Sequence, residues 1–350
     1  MSSSARRMLK NRGIEASAPC RVDSGGTWDI RSMALPMETI EPVTLNIALS
    51  LRTRVALLPF EDGLVKVSSE GFPDAEAHDF RTLPFDSSFG LFFAAISYFG
   101  FHGIEVRIAS DSPSKAALGG SSTALVALIK ALSKLAALTG RSPLPRKDIL
   151  HLAYHLEDAV SSGKCGIQDQ AAAVFGGVHL WSWHFSDRHA PYERTALFDR
   201  RGQAELSEHL LVAFSGKSHV SARINQQWLE GFLSGRTRAG WVEANRIVRR
   251  LSQALIDRRW DRAAGLLREE TAVRRAITPD ALIPVTHQLI QKAEEEGCGA
   301  RFAGAGAGGS VWAIGEMKRI KELKGIWRST LAPIRGAGIL ECQVDPGGVR

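Results

Sequence analysis

Residues 113–124 read P-S-K-A-A-L-G-G-S-S-T-A, and no other stretch limits the chain's possible folds so tightly. Gly119 and Gly120 carry no Cβ, so backbone N–H groups there can come close to an anion. An apolar helix opens directly behind them, with Leu125, Leu128, Ile129, Leu132, Leu135 and Ala136 repeating at helical spacing and Lys130 and Lys134 on the other side. Its N-terminus aims the positive end of the helix dipole at the same place. The bland alternative is a flexible turn with a serine cap. Two glycines, two serines and a helix start together favour a phosphate-rich ligand held by Gly119, Gly120, Ser121 and Ser122. It is not a Walker A loop: no G-K-[ST] follows the glycines. Gly216-Lys217-Ser218 supplies that triplet elsewhere, but Leu211 stands where the earlier glycine is required.

Around this loop the pattern mixes strands and helices without regular βαβ alternation, which predicts an α+β fold. Residues 1–14 read as a loose tail. Residues 43–51, 54–58 and 64–67 are β-rich, 87–99 read as a helix and 104–108 as a strand. A helix is expected over 146–160 and a short helical piece within 163–177, followed by a strand at 178–183. Residues 186–207 are charged and weakly patterned, so the domain boundary is placed there, with an N-terminal domain over 15–200 and a C-terminal one over 201–350. The second contains a strand at 210–214 and amphipathic helices near 219–234, 238–256, 260–276 and 281–296. Strands at 300–303 and 310–314 follow, then a helix near 317–329 and a strand at 338–344.

Four further segments bear on chemistry. Asp169 stands in G-K-C-G-I-Q-D-Q, residues 163–170, amid small and apolar neighbours. It is either a base in a partly apolar wall or the cap of the short helix behind it. Glu157 lies four residues after Ala153 and three before Val160, on or beside an apolar helix face. A carboxylate there needs a partner, either a metal ion or a basic side chain. Residues 21–29 read R-V-D-S-G-G-T-W-D, a strand turned by Gly25 and Gly26 from which Asp29 emerges; Asp accepts paired hydrogen bonds from sugar-like hydroxyls, and a bare hairpin would look the same. Residues 304–309, G-A-G-A-G-G, match the dinucleotide fingerprint formally. A strand rather than a helix follows them, so a tight turn is expected.

Taken together these segments resemble the GHMP small-molecule kinases, the group of galactokinase, homoserine kinase, mevalonate kinase and phosphomevalonate kinase, from about residue 17 to residue 344. Three glycine motifs stand in that family's order and spacing. The resemblance implies a ribosomal-protein-S5-like N-terminal α+β domain and a ferredoxin-like C-terminal α+β domain. It implies that residues 119–122 form the ATP phosphate loop, that Ser122 and Glu157 ligate magnesium, and that Asp169 is the catalytic aspartate with Gln170 beside it. Arg21 corresponds to the arginine near the transferred phosphoryl, Asp29 to the sugar-contacting aspartate, and Gly26 and Gly306 to residues bordering the substrate. D-Q followed by A-A-A-V-F-G-G resembles the sugar and heptose-phosphate branch, as does F-S-G-K-S-H-V-S-A-R-I-N-Q over 214–226, where Lys217 and Arg223 would meet an anionic substituent or simply sit on a solvated helix start. Two departures stand out. Ala117 replaces the first glycine of the second motif, and G-G-T-W-D is one residue shorter than the sugar-kinase version. Trp28 would stack on a sugar or lie in the core.

The implied activity is transfer of the ATP γ-phosphate, with magnesium, to a hydroxyl of a small sugar or sugar phosphate. A mevalonate-type acceptor and a non-catalytic nucleotide-binding relative are the alternatives. The formal charge of +7 suits an anionic substrate, while no Lys/Arg run or aromatic–basic stripe reads as a nucleic-acid surface. Cys20, Cys165, Cys298 and Cys342 lie far apart with no C-x-x-C pair, as expected of buried thiols in a reducing compartment. The polar, basic start lacks the apolar core of a secretory signal, and no stretch has membrane-span length, so a cytoplasmic protein without membrane partners is expected.

Overall fold

The computed structural model describes residues 3–10, 13–25, 28–218 and 221–350, with the side chains of 221–223 outside that description. The elements run β1 (Ser3–Ser4), α1 (Arg6–Leu9), β2 (Ile14–Ser24), α2 (Arg31–Ala34), β3 (Val43–Pro59), β4 (Leu64–Ser69) and β5 (Glu76–Asp79). Next come α3 (Gly90–Phe99), β6 (Phe101–His102), β7 (Ile104–Ser110), α4 (Gly120–Ala137), α5 (Arg146–Val160), α6 (Gln168–Phe175), β8 (Val178–Trp183) and β9 (Tyr192–Ala196). The rest comprises α7 (Arg200–Glu208), β10 (Leu210–Phe214), α8 (Ser221–Leu233), α9 (Arg238–Ile256), α10 (Trp260–Ile277), α11 (Pro284–Glu295), β11 (Gly299–Phe302), β12 (Ser310–Ile314), α12 (Met317–Leu331) and β13 (Gly338–Ile339).

The larger sheet has the order β5-β4-β7-β3-β8-β9, with β2 on the other edge of β3. One unbroken β3 replaces the two strands expected over 43–58. It changes partner along its length, pairing with β8 over 43–47 and with β7 over 53–59. Its opposite edge takes β2, with a register shift between Pro19 and Cys20 that leaves Ser50 and Leu51 bulged. Helices α3, α4, α5 and α6 bury their apolar stripes against this sheet in one core. Helix α4 is long and apolar enough to cross a membrane by composition, but most of it is buried here, packed on β2 and β3.

The smaller sheet, β11-β12-β10-β13, is antiparallel throughout. Period-two alternation assigns its faces. Leu210, Val212 and Phe214 face a core shared with α9, α10 and the odd-numbered residues 43–51 of β3, whereas Leu211 and Ala213 face α11 and α12. The α+β class expected from the sequence therefore holds.

Local expectations fail in three places. Residues 3–9 are not a loose tail: β1 pairs with β6, and Ala5, just before α1, and Leu9, at its end, are buried. Residues 186–207 are not irregular: β9 extends the large sheet and α7 follows, capped by the Asp199 side chain on Gly202 N–H. The final strand is only two residues long. Beyond it the chain turns back along β3: Ser50 N–H donates to Gln343 O, Asp345 N–H to Ala48 O, Gly177 N–H to Asp345 O, and Arg350 and Ser17 exchange backbone bonds. Arg52 pairs with Asp345 beneath them.

Candidate functional site

Strand β2 carries Arg21 and Asp23 on one face, as its period of two dictates. Arg21 is 4% exposed. Its backbone N–H donates to Leu118 O at 3.1 Å and its Nη1 to Ala117 O at 2.8 Å, so the strand and the glycine–serine loop hold each other. Arg21 Nε and Nη2 both reach Asp169 Oδ1, at 2.7 and 2.6 Å. Asp169 stands in the first turn of α6, whose Ala171, Ala172, Ala173 and Val174 are buried and fix the helix against β2. It does not act as that helix's cap, which the sequence left open: Ile167 occupies the cap position and makes no side-chain bond. Its side chain is 24% exposed. On the loop side, a Cβ added to Gly119 (φ +77°) would lie 3.2 Å from Asp169 Oδ2. A side chain at Gly119 would therefore crowd the carboxylate as well as strain the backbone.

The loop has left-handed backbone at every second residue, Lys115 (φ 56°), Ala117 (φ 62°) and Gly119. Alternation of this kind turns successive N–H groups to one side and forms an anion-binding concavity. Non-glycine residues seldom adopt positive φ, so this conformation is imposed by the surroundings. Gly119 caps α4, and Gly120 and Ser121 are exposed at its first turn, where the N–H groups have no partner within the helix.

Beneath that turn, Ser122 Oγ donates to Glu157 Oε1 at 3.0 Å, and Gln170 Nε2 donates to Oε2 at 2.7 Å. Burial raises the Glu157 carboxyl to about pH 7, with Asp169 nearby adding to the effect and the two hydrogen bonds opposing it. Among the described residues no lysine or arginine pairs with it, so the salt-bridge reading of Glu157 falls away. A hydroxyl and a carboxylate 3.0 Å apart offer the hard oxygen donors that suit a divalent ion taking its remaining ligands from phosphate and water. Among the described residues there is no cluster of three or more His, Cys, Asp or Glu to form an all-protein metal cage.

Asp29 is 2% exposed, and its Oδ2 accepts from Gln168 N–H at 3.0 Å. Burial, reinforced by Asp169, raises it to about 7. Ile30 forms a bridge with Gly166, where a Cβ would lie 1.8 Å from Asp29 Oδ2. Asp29 therefore braces the start of α6 from below. Trp28 belongs to the core: it is fully buried and donates to Trp241 O at 3.0 Å. Trp181 and Trp183 are likewise buried and stacked, donating to Asn46 Oδ1 and Thr44 Oγ1.

The third glycine segment is a turn between β11 and β12, which rules out the dinucleotide reading. Ser310 N–H donates to Ala116 O at 2.9 Å, binding this turn to the glycine–serine loop. Gly304 N–H donates to Asp23 Oδ1 at 2.8 Å. Gly306 packs against Ala281 and Phe302, and Gly309 N–H donates to Lys217 O while the Lys217 side chain is exposed. Gly26 and the Arg223 side chain lie outside the described residues. Arg21, Gly119, Gly120, Ser121, Ser122, Glu157 and Asp169 thus converge on one place, with Asp29 behind it and Gly306 and Lys217 at the third turn. Sequence reasoning missed Asp23, buried between Arg21 and Arg301. The only signal was its position two residues after an arginine on a strand.

Residues 89–177 match the family model described as GHMP kinases N terminal domain. A D-glycero-alpha-D-manno-heptose 7-phosphate kinase of Campylobacter jejuni is 29% identical over 186 residues, a match spanning 50% of this chain and 52% of that protein. Lactococcus lactis galactokinase, solved with galactose, superposes with a TM-score of 0.73 at 17% identity, covering 97% of this chain and 95% of that one. Streptococcus pneumoniae phosphomevalonate kinase, solved with phosphomevalonate and AMPPNP, gives 0.74 at 16% identity, covering 95% and 100%. At those identities the two structures speak for the fold.

Proposed function

We propose that this chain, a member of the GHMP kinase superfamily, transfers the γ-phosphate of ATP to a hydroxyl of a small sugar or sugar phosphate. One observation carries the reading: Asp169 is fixed by Arg21, whose Nη1 also donates to Ala117 O, so an acidic group and the anion-binding loop are held by one side chain. The N–H groups of residues 119–122 and the α4 dipole hold the phosphates. Ser122 and Glu157 hold magnesium, which when bound neutralises phosphate charge as it moves. Asp169 orients the acceptor hydroxyl and takes its proton, while Arg21 offsets charge on the phosphoryl group in flight. Most of the acceleration comes from positioning and charge stabilisation. Asp29 supports the acceptor side by holding α6. Gly306 and Lys217 border the acceptor, and Lys217 meets its anionic substituent.

The sugar-phosphate branch is favoured by the relative from Campylobacter jejuni, whose name is that of a heptose-phosphate kinase. The cytoplasm is the proposed compartment: it supplies ATP and keeps the four free cysteines reduced. ADP release with magnesium–ATP, measured over hexoses, heptose phosphates, mevalonate and phosphomevalonate, tests the proposal. Turnover is expected with a sugar or sugar phosphate. Turnover confined to mevalonate or its phosphate would replace the substrate class. Nucleotide binding without any turnover would leave a non-catalytic relative.

A further inference from the structure

Asp23 occupies a position that catalysis as described above does not use. Its side chain is fully buried, and both oxygens are engaged: Oδ1 by Gly304 N–H at 2.8 Å, Oδ2 by Arg301 Nη1 at 3.1 Å. Oδ1 also lies 3.6 Å from Arg21 Nη1. Its backbone carbonyl accepts from Arg301 Nη1 at 2.8 Å and Trp312 Nε1 at 3.2 Å. Arg301 is fully buried too and donates through Nε to Glu270 Oε2 at 2.9 Å. Charges therefore alternate along one line, Asp169, Arg21, Asp23, Arg301, Glu270, from the half-open site into the closed interior. Arg274, sandwiched between Trp228 and Trp241 at 4.3 Å from each ring, and Asp29 are the other charged groups nearby.

A buried guanidinium keeps its place only if its charge is matched and its donors are used. Asp23 stands between two such groups. An amide of the same shape could still accept from Gly304 N–H. Its other end, however, would turn a donor toward a cation, and its charge would be gone. The requirement at this position is thus for a negative charge, beyond a filled hydrogen bond.

We propose that Asp23 is a positioning residue that holds Arg21 in the orientation at which it grips Asp169, and that it locks the third glycine turn to the same point through Gly304. The inference rests on the kinase reading for its kinetic consequence, although its structural content is independent of that reading. Arg21 belongs to β2, Ala117 and Asp169 to the N-terminal side of the site, and Gly304 and Arg301 to the smaller sheet; Asp23 is the carboxylate that joins them.

The test uses the full chain with arginine Nε labelled by ¹⁵N, and compares wild type, Asp23→Asn, Arg21→Lys and the double variant. The Arg21 Nε–H signal, assigned by its loss in Arg21→Lys, should exchange with water at least about tenfold faster in Asp23→Asn as its opening becomes easier. The kcat should fall about 10²-fold, the scale of a misplaced catalytic group, with KM for ATP within about threefold. The double variant should be no slower than Arg21→Lys alone, because the two residues act as a unit. Unchanged exchange, unchanged kcat, or losses that multiply in the double variant would each overturn the proposal. Should Asp23→Asn fail to fold, Asp23→Glu, which keeps the charge but displaces it relative to Arg21, is read the same way. A wild type that phosphorylates no acceptor would sink the kinase reading alone, and the exchange comparison would still decide whether Asp23 holds Arg21.

Discussion

Arg21 grips Asp169 by one oxygen only: Nε and Nη2 both reach Oδ1, and Oδ2 is left facing Gly119 at the mouth of the loop. The division of labour within one carboxylate follows from this. One oxygen anchors, and the other is presented to whatever approaches across the loop.

Replacing that carboxylate separates chemistry from binding. Asp169→Asn should lower kcat by roughly 10³-fold, within the range for loss of a general base, while ATP affinity stays within about threefold. Steady-state kinetics paired with calorimetric nucleotide titration checks this. Wild-type-like turnover would remove Asp169 from its role.

Glu157 should control the cation. Its carboxylate meets Ser122 and Gln170, both neutral. In Glu157→Ala the magnesium concentration for half-maximal turnover should rise by about tenfold or more. An unchanged metal titration would contradict the assignment.

Ala117 carries a Cβ, yet it holds φ at +62°. Ala117→Gly relieves a left-handed penalty of about 1–2 kcal/mol and gives back about 0.4–1 kcal/mol in unfolded-chain entropy. A net stabilisation of about 0.5 kcal/mol is expected, measured by urea unfolding. Destabilisation would mean the methyl group makes contacts worth more than the strain.

Asp29 makes stability fall as pH rises. Its folded value, about 7, lies above the ordinary 3.8, so the folded state keeps its proton longer than the unfolded one. The contribution is complete below the ordinary value and is lost as pH rises through about 7, at up to ~1.4 kcal/mol per pH unit inside that window. Asp29→Asn, which keeps an acceptor for Gln168 N–H, should flatten this part of the curve. Unfolding at pH 5 and pH 7 compares the two, and parallel losses would refute the shift.

The legible parts were those governed by local periodicity. The stripe of α4, the alternation of β8 and the short apolar run of β10 placed those elements within a residue or two. The loop's anion-binding character could be read because glycine, serine and a helix start are adjacent in sequence. Asp169 could be read locally only as a base or a cap, and its catalytic role, like that of Arg21, came from resemblance, since nothing local to either residue says that they touch. Asp23 stayed hidden for the opposite reason: buried charge looks like surface charge in a string, and its partner Arg301 lies at the far end of the chain. Ala5 and Leu9 were overlooked because two apolar anchors are diluted among basic neighbours.

Residues 343–350 run back along β3 beside its bulge, and the bulge sits opposite the step from Pro19 to Cys20, immediately before Arg21. Truncation after residue 342 would strip the backbone partners from Ala48, Ser50 and Ser17 and remove the counter-ion of Arg52. A deletion remote in sequence from every catalytic position would then register as lost turnover, and an affinity handle fused behind Arg350 would pull on the same seam.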